Sequence, residues 1–270
     1  MEGFHLGFTR EKRIKHYSST QKILLVGEGD FSFSACLARA FGTAANMVAT
    51  SLDSRDSLRL KYSNVMANLN LLRMFGCTIL HEVDVHTMSH HPLLRMKRFD
   101  RIIFNFPHAG FQNKEIHFHQ IMLHQTVVRG FLRNAREMLT ENGEIHVTHK
   151  TSYPFSDWNI EKLGQEVGLF MIEKAPFFLC EYPGYINKRG HGVRCDESFP
   201  VGECCTFKFV KVATNSAVQP QAVNSLSDIV TVRPHLVYHI RYNSIGLYNI
   251  LGCIVILLLY CCLTISFYNI

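Results

Sequence analysis

The sequence predicts an α/β fold, a mostly parallel sheet of seven strands with helices on both faces. Three observations carry it. Strand-like and helix-like patterns alternate from Lys22 to Val212. The first strand, residues 23–26 (ILLV), is apolar at every position, as a strand buried on both faces must be. It breaks into a glycine-acid loop, Gly27-Glu28-Gly29-Asp30, before the chain restarts as a helix.

Each later element follows from its own residues. Residues 47–51 form the second strand, ending at Asp53, and Leu58, Tyr62, Val65 and Leu69 mark one apolar helix face. Residues 78–83 give the third strand, ending near Asp84, and 101–105 (RIIFN) the fourth. A long helical segment spans 114–139, with Gly143 as a stop before the fifth strand at 144–148. A helix at 158–167 and strands at 169–174 and 205–212 complete the set.

At 270 residues the chain holds one sizeable α/β domain plus extensions. Residues 1–21 form a basic arm with Arg10, Lys12, Arg13 and Lys15, suited to nuclear import, phosphate contact or plain solvation. The α/β domain spans 22–212, and a linker rich in Asn, Ser, Gln and Pro opens the stretch 213–242. Residues 243–270 carry no charge and are long enough for a hydrophobic C-terminal helix, a candidate transmembrane helix; with Arg233 and Arg241 before it, the domain would face the cytosol. A net charge of +6 favours polyanionic partners. Nine cysteines without paired C-x-x-C spacing, and a mixed basic start, fit free thiols in a reducing compartment.

The loop decides which ligand belongs at the first strand. A dinucleotide fingerprint needs a third glycine where Ser32 stands, and a pyrophosphate would meet the like charges of Glu28 and Asp30. A cationic adenosyl ligand meets the opposite, while a ligand-free strand-helix turn is the competing reading. Gly27 and Gly29 would let the ligand approach the backbone. Asp53 follows the second strand, placed to take ribose hydroxyls, and Asp84 follows the third, within reach of an adenine amino group.

The fourth strand runs into Asn105-Phe106-Pro107-His108, the expected reactive turn. Asn105 supplies an amide acceptor, Phe106 or His108 a ring for stacking, and Pro107 rigidity. The order resembles the N-P-P-F/Y turn of amino methyltransferases. His149 and Lys150 follow the fifth strand, and Lys188, Arg189 and Arg194 lie in a glycine-rich loop that reads as a phosphate-contacting lid or a surface hairpin. His117, His119 and His124 do not share one helix face, so no metal is expected.

VGEGDFSFS, ATSLDSR, the NFPH turn, HVTHKTSYPFSDW and PGYINKRGHGVRCDESFPVGEC together resemble the Bmt5-like family of ribosomal RNA uridine-N3 methyltransferases, over about residues 22–212. The resemblance implies a Rossmann-like methyltransferase sheet, S-adenosyl-L-methionine as donor, a uridine N3 in large-subunit rRNA as acceptor, and a nucleolar location. It does not cover the hydrophobic tail. On position, Asn105, Pro107 and His108 form the catalytic set, with His108 the first choice of base and Asp30 or His149 the alternatives. Gly27, Glu28, Gly29, Asp30, Asp53 and Asp84 bind the donor, and His149, Lys150, Lys188, Arg189 and Arg194 bind RNA. A small-molecule methyltransferase and a non-catalytic adenosyl-binding or membrane-tethered adaptor are the rival readings.

Overall fold

A computed structural model describes residues 10–211. The linker and hydrophobic tail expected at 213–270, and residues 1–9 of the expected arm, lie outside the described residues. Among the described residues no helix is long and apolar enough to cross a membrane. A short antiparallel hairpin, β1 (Arg13–Ile14) and β2 (Tyr17–Ser18), opens the described part. Tyr17 is 1% exposed and its hydroxyl lies 3.1 Å from Nδ1 of His146, so this end of the basic segment packs onto the domain.

Seven strands form one sheet. β3 (Ile23–Val26) pairs in parallel with β4 (Met47–Thr50) on one side and β6 (Phe99–Asn105) on the other. β4 pairs in parallel with β5 (Thr78–Leu80), and β6 with β7 (Leu139–Lys150). β9 (Cys204–Lys211), the last in sequence, lies antiparallel between β7 and β8 (Leu169–Pro176), giving the order β5-β4-β3-β6-β7-β9-β8. This is the Rossmann-like α/β sheet expected, closed at one side by an antiparallel pair.

Strand alternation sends neighbours to opposite faces. Leu24, Val26, Ile102 and Phe104 pack on one face with helices α4 (Phe118–Met138) and α5 (Ile160–Glu166). Ile23, Leu25 and Ile103 pack on the other with α1 (Ser32–Phe41), α2 (Arg55–Lys61) and α3 (Val65–Met74). All four β3 side chains are buried, which stabilises by roughly 1.5–3 kcal/mol per large aliphatic.

β7 begins at Leu139 and runs through Gly143, the expected stop, because it pairs with β6 from Phe99 onward, and β5 ends at Leu80, short of the expected 83; two further differences shape the site. The amphipathic helix through Leu58 and Leu69 breaks at Tyr62, which turns extended at φ −130° and ψ 121°. Ser63 donates through its N–H and hydroxyl to the Asp196 carboxylate, at 3.1 and 2.7 Å, and so ties the break to a distant loop. The helix expected from 114 begins only at Phe118, because the preceding residues form a turn in which Glu115 is drawn toward two histidines.

Candidate active site

β3 and β6 end in register, Val26 opposite Phe104, so Gly27 and Asn105 leave the sheet side by side. Such a junction, where the chain crosses to opposite faces, is where open α/β sheets hold ligands. A cavity of about 440 Å³ opens there. The glycine loop from Gly27 to Asp30 lines it, with Asp53, Asp84, Asn105, His108, Lys188 and Arg189. Four expected residues lie elsewhere. Pro107 is buried beneath the turn, and His149 and Lys150 line a separate cavity of about 300 Å³. Arg194 is exposed and paired with Glu197 at 2.5 Å.

The glycines serve packing more than ligand approach. A Cβ on Gly27 would run into the Phe104 ring, and its φ of +66° is one L side chains rarely adopt. A Cβ on Gly29 would meet the Tyr62 hydroxyl at 3.1 Å, the residue that breaks the helix. Glu28 also turns inward: its Oε2 accepts from the Ser34 N–H and hydroxyl at 3.1 and 2.7 Å. Burial pushes its carboxyl up to about 7.

Asp30 is the acid aimed at the cavity. It is 3% exposed; Oδ1 accepts the Ser32 N–H at 2.9 Å, while Oδ2 is buried without a partner and lies 4.0 Å from Nζ of Lys188. Burial raises its carboxyl above the usual range, offset in part by Ser32 and Lys188. Asn105 likewise has both amide atoms buried and, among the described residues, unpartnered. Arg189 Nε, on the same cavity, is the third such group; buried polar groups are seldom left so, and three beside one cavity mark where a polar ligand completes the bonding. Asp53 takes Lys61 at 2.6 Å and Ser57 at 3.2 Å, both on Oδ1. Asp84 accepts the His86 N–H at 2.8 Å. Between Asn105 and Pro107, Phe106 holds φ +48°, a strained value for an aromatic residue, fixed by its N–H to Thr148 and by edge packing on Phe177 and Phe199.

His108 does not have the free nitrogen that a base requires. Its Nδ1 accepts the Gly110 N–H at 2.8 Å, which places the ring proton on Nε2, 3.0 Å from Glu115. His124 repeats the pattern: Nδ1 accepts the Ala109 N–H at 3.1 Å, and Nε2 lies 3.1 Å from the other Glu115 oxygen. Burial alone would push Glu115 up, but the hydrogen bonds from both histidines bring its carboxyl down to about 2. His124 also stacks on Trp158 at 4.1 Å. One carboxylate thus clamps the turn that carries Asn105.

The same trio has ligating atoms within 4.8 Å of one another, the one such group among the described residues. A metal-bound histidine normally donates from its other nitrogen. Here both Nδ1 atoms accept instead, and a metal on Nε2 would require imidazolates. The group fits a proton-linked clamp and does not fit an ion. Of the three histidines weighed in the sequence, only His124 belongs to the trio; His117 and His119 do not, and nothing in the spacing of Glu115 announced it.

The lid cations also have internal partners. Lys188, nearly buried, donates to the Asp196 carboxylate at 2.6 Å and to its carbonyl at 2.7 Å, while Arg189 and Arg194 share Glu197. Ser32 stitches the lid to the glycine loop by donating to the Ile186 carbonyl and accepting its N–H, each at 3.1 Å. His149 is 3% exposed, donates Nε2–H to the Phe155 carbonyl at 3.0 Å, and is held neutral by burial, with its pKa down to about 4. It is not a cation for RNA, and its ring packs on Trp158 at 4.2 Å and does not line the first cavity.

A Rossmann-like sheet with an acid-lined cavity at its central switch, floored by a strained Asn-aromatic-Pro turn, defines the methyltransferase class. The family model described as BMT5-like, rRNA (uridine-N3-)-methyltransferase, matches residues 24–189, and the chain belongs to that family. An uncharacterised protein of Arabidopsis thaliana is 60% identical over 204 residues, 74% of this chain and 98% of its own length. The 25S rRNA (uridine(2634)-N(3))-methyltransferase of Saccharomyces cerevisiae is 23% identical, covering 76% of this chain and 77% of its own. Among solved structures, the N-methyltransferase NodS of Bradyrhizobium japonicum aligns with a TM-score of 0.43 at 12% identity, over 69% of this chain and 83% of that one.

Proposed function

We propose that the chain methylates N3 of an unpaired uridine in large-subunit ribosomal RNA. The observation that carries this reading is that two of the unpartnered groups, Asn105 and Asp30, line one cavity. Uridine N3–H lies between two carbonyls. An amide that offers one donor and one acceptor matches that edge, and a buried carboxylate beside it can take the N3 proton. The activity for which the yeast relative is named supports the same atom.

The acids suit the donor. Asp30, Asp53 and Asp84 surround the cavity, so a ligand with an ammonium and a sulfonium gains where a pyrophosphate would lose. Bound there, S-adenosyl-L-methionine supplies an electrophilic methyl group. Asp53 would hold ribose hydroxyls, and Asp84 the adenine end. Asn105 orients the acceptor edge, and the Glu115 clamp keeps the turn in place, since alignment supplies much of the rate in a displacement. Asp30 replaces His108 as the base, because its Oδ2 has a free lone pair and burial makes it a stronger proton acceptor than an exposed carboxylate. N3 sits on the pairing edge, so the uridine must be unpaired or flipped out.

We place the protein in the nucleolus, where large-subunit rRNA is made; the alternative is the cytosolic face of a membrane, reached through residues 243–270. Large-subunit rRNA from cells with and without the gene, digested to nucleosides, tests the reading by mass spectrometry. N3-methyluridine is expected to fall in the deleted cells and return with the wild-type chain. Asp30→Asn should restore it roughly 10²–10⁴-fold more slowly in vitro. Equal N3-methyluridine in both cell lines refutes the substrate, and turnover on a small acceptor without RNA would point to the small-molecule reading.

A further inference from the structure

We infer that the second cavity, between α5 and the β7–β9–β8 side of the sheet, is the groove that holds the RNA backbone flanking the target nucleotide. This rests on the RNA reading above. Lys150, Lys162 and Lys174 line its 300 Å³. Among the described residues none of the three has a carboxylate within 4.0 Å. The lid cations, by contrast, are each paired with a lid carboxylate.

Lys150 joins the two cavities. Its Nζ lies 4.6 Å from the Phe155 ring centroid and 5.0 Å from that of Phe199. Phe155 lines the second cavity and Phe199 the first. A strand whose target base enters beside Asn105 therefore passes Lys150 on its way out. Lys174 stands 5.2 Å over Phe207, and Lys162 lines the same cavity from α5. Thr151, Ser156 and Asn159 add neutral polar groups suited to phosphate and sugar oxygens. Glu161 is the one carboxylate on the rim, so the excess charge is positive. The rings beneath two of the lysines fix ammonium groups without cancelling their charge.

The test uses the full chain and protein-free large-subunit rRNA from cells lacking the gene, with binding measured over a series of salt concentrations. Replacing the three lysines by glutamine (Lys150→Gln, Lys162→Gln, Lys174→Gln) should weaken RNA binding roughly tenfold or more. The slope of log affinity against log salt should become shallower by about 2–3, at roughly 0.7–0.9 for each phosphate that is no longer neutralised. Affinity for S-adenosyl-L-methionine should stay at the wild-type value, which also checks folding. Wild-type RNA affinity and slope in the triple variant overturn the groove, while continued methylation of the RNA leaves the functional reading standing. Should the triple variant lose donor binding, the exposed pair Lys162→Gln and Lys174→Gln is judged by the same criteria, with a slope change of about 1–2. Failure of the wild type to bind or methylate RNA refutes both readings together.

Discussion

Glu28 is drawn as a charge in the sequence, yet in the fold it is 9% exposed and hydrogen-bonded to Ser34. Burial lifts its carboxyl from 4.5 to about 7. The folded pKa stands above the unfolded one, so between these values the native state binds the extra proton. Stability from this group falls as pH rises from about 4.5 to about 7, and the cost is complete above 7. Glu28→Gln keeps an acceptor for Ser34 and removes the ionisation. The variant should gain on wild type by up to ~3 kcal/mol at pH 8 and by little at pH 5. Chemical denaturation at the two pH values measures this; the same difference at both would show that Glu28 does not titrate in this range. The neighbouring Asp30 differs because one oxygen is left without a partner, so two acids a residue apart take separate roles.

At the scale of elements, the loop from Asn105 to Glu115 is held by the Glu115 carboxylate, which accepts from two rings, and by Gln120, which bonds the backbone of Gly110, Gln112 and Asn113. Glu115→Ala removes both hydrogen bonds, and a turn displaced by about 1 Å should cost about 10²-fold in kcat. Donor affinity should be retained, because Asp30, Asp53 and Asp84 come from other loops. Single-turnover kinetics with a donor titration separates the two; parallel loss of donor affinity would mean that the loop supports the whole cavity. The strands were legible because buried parallel strands write their burial into every position: β3 matches residues 23–26, and β4 and β6 end within a residue of expectation. The helix break at Tyr62 was not, because Leu58, Val65 and Leu69 keep an apolar helical spacing. What interrupts it is Asp196, over a hundred residues away in sequence, holding Ser63. The cavity acids were legible by their place at strand ends. The tautomer of His108 was not, since it depends on the Gly110 N–H and on Glu115.

For the molecule as a whole, the basic side chains of the described residues fall into two groups. The lid holds its cations in internal pairs and is stitched to the glycine loop, while unpaired lysines collect beside β7 and α5. The last strand in sequence, β9, occupies an interior place, bonded to β7 on one side and β8 on the other. A chain stopped before Cys204 would leave both neighbours with open backbone edges, which invite pairing with other chains. Such a chain is expected in the insoluble fraction, whereas one stopped after residue 212 should stay soluble and bind the donor; a soluble, donor-binding product from the shorter chain would show that β9 is dispensable. During synthesis this has a further effect. The glycine loop emerges early, but the sheet cannot close until Lys211 has left the ribosomal tunnel, so β7 and β8 wait for a strand still being made. A nascent chain must shelter these two edges for the time needed to translate the lid, and a pause within that stretch would lengthen the exposure.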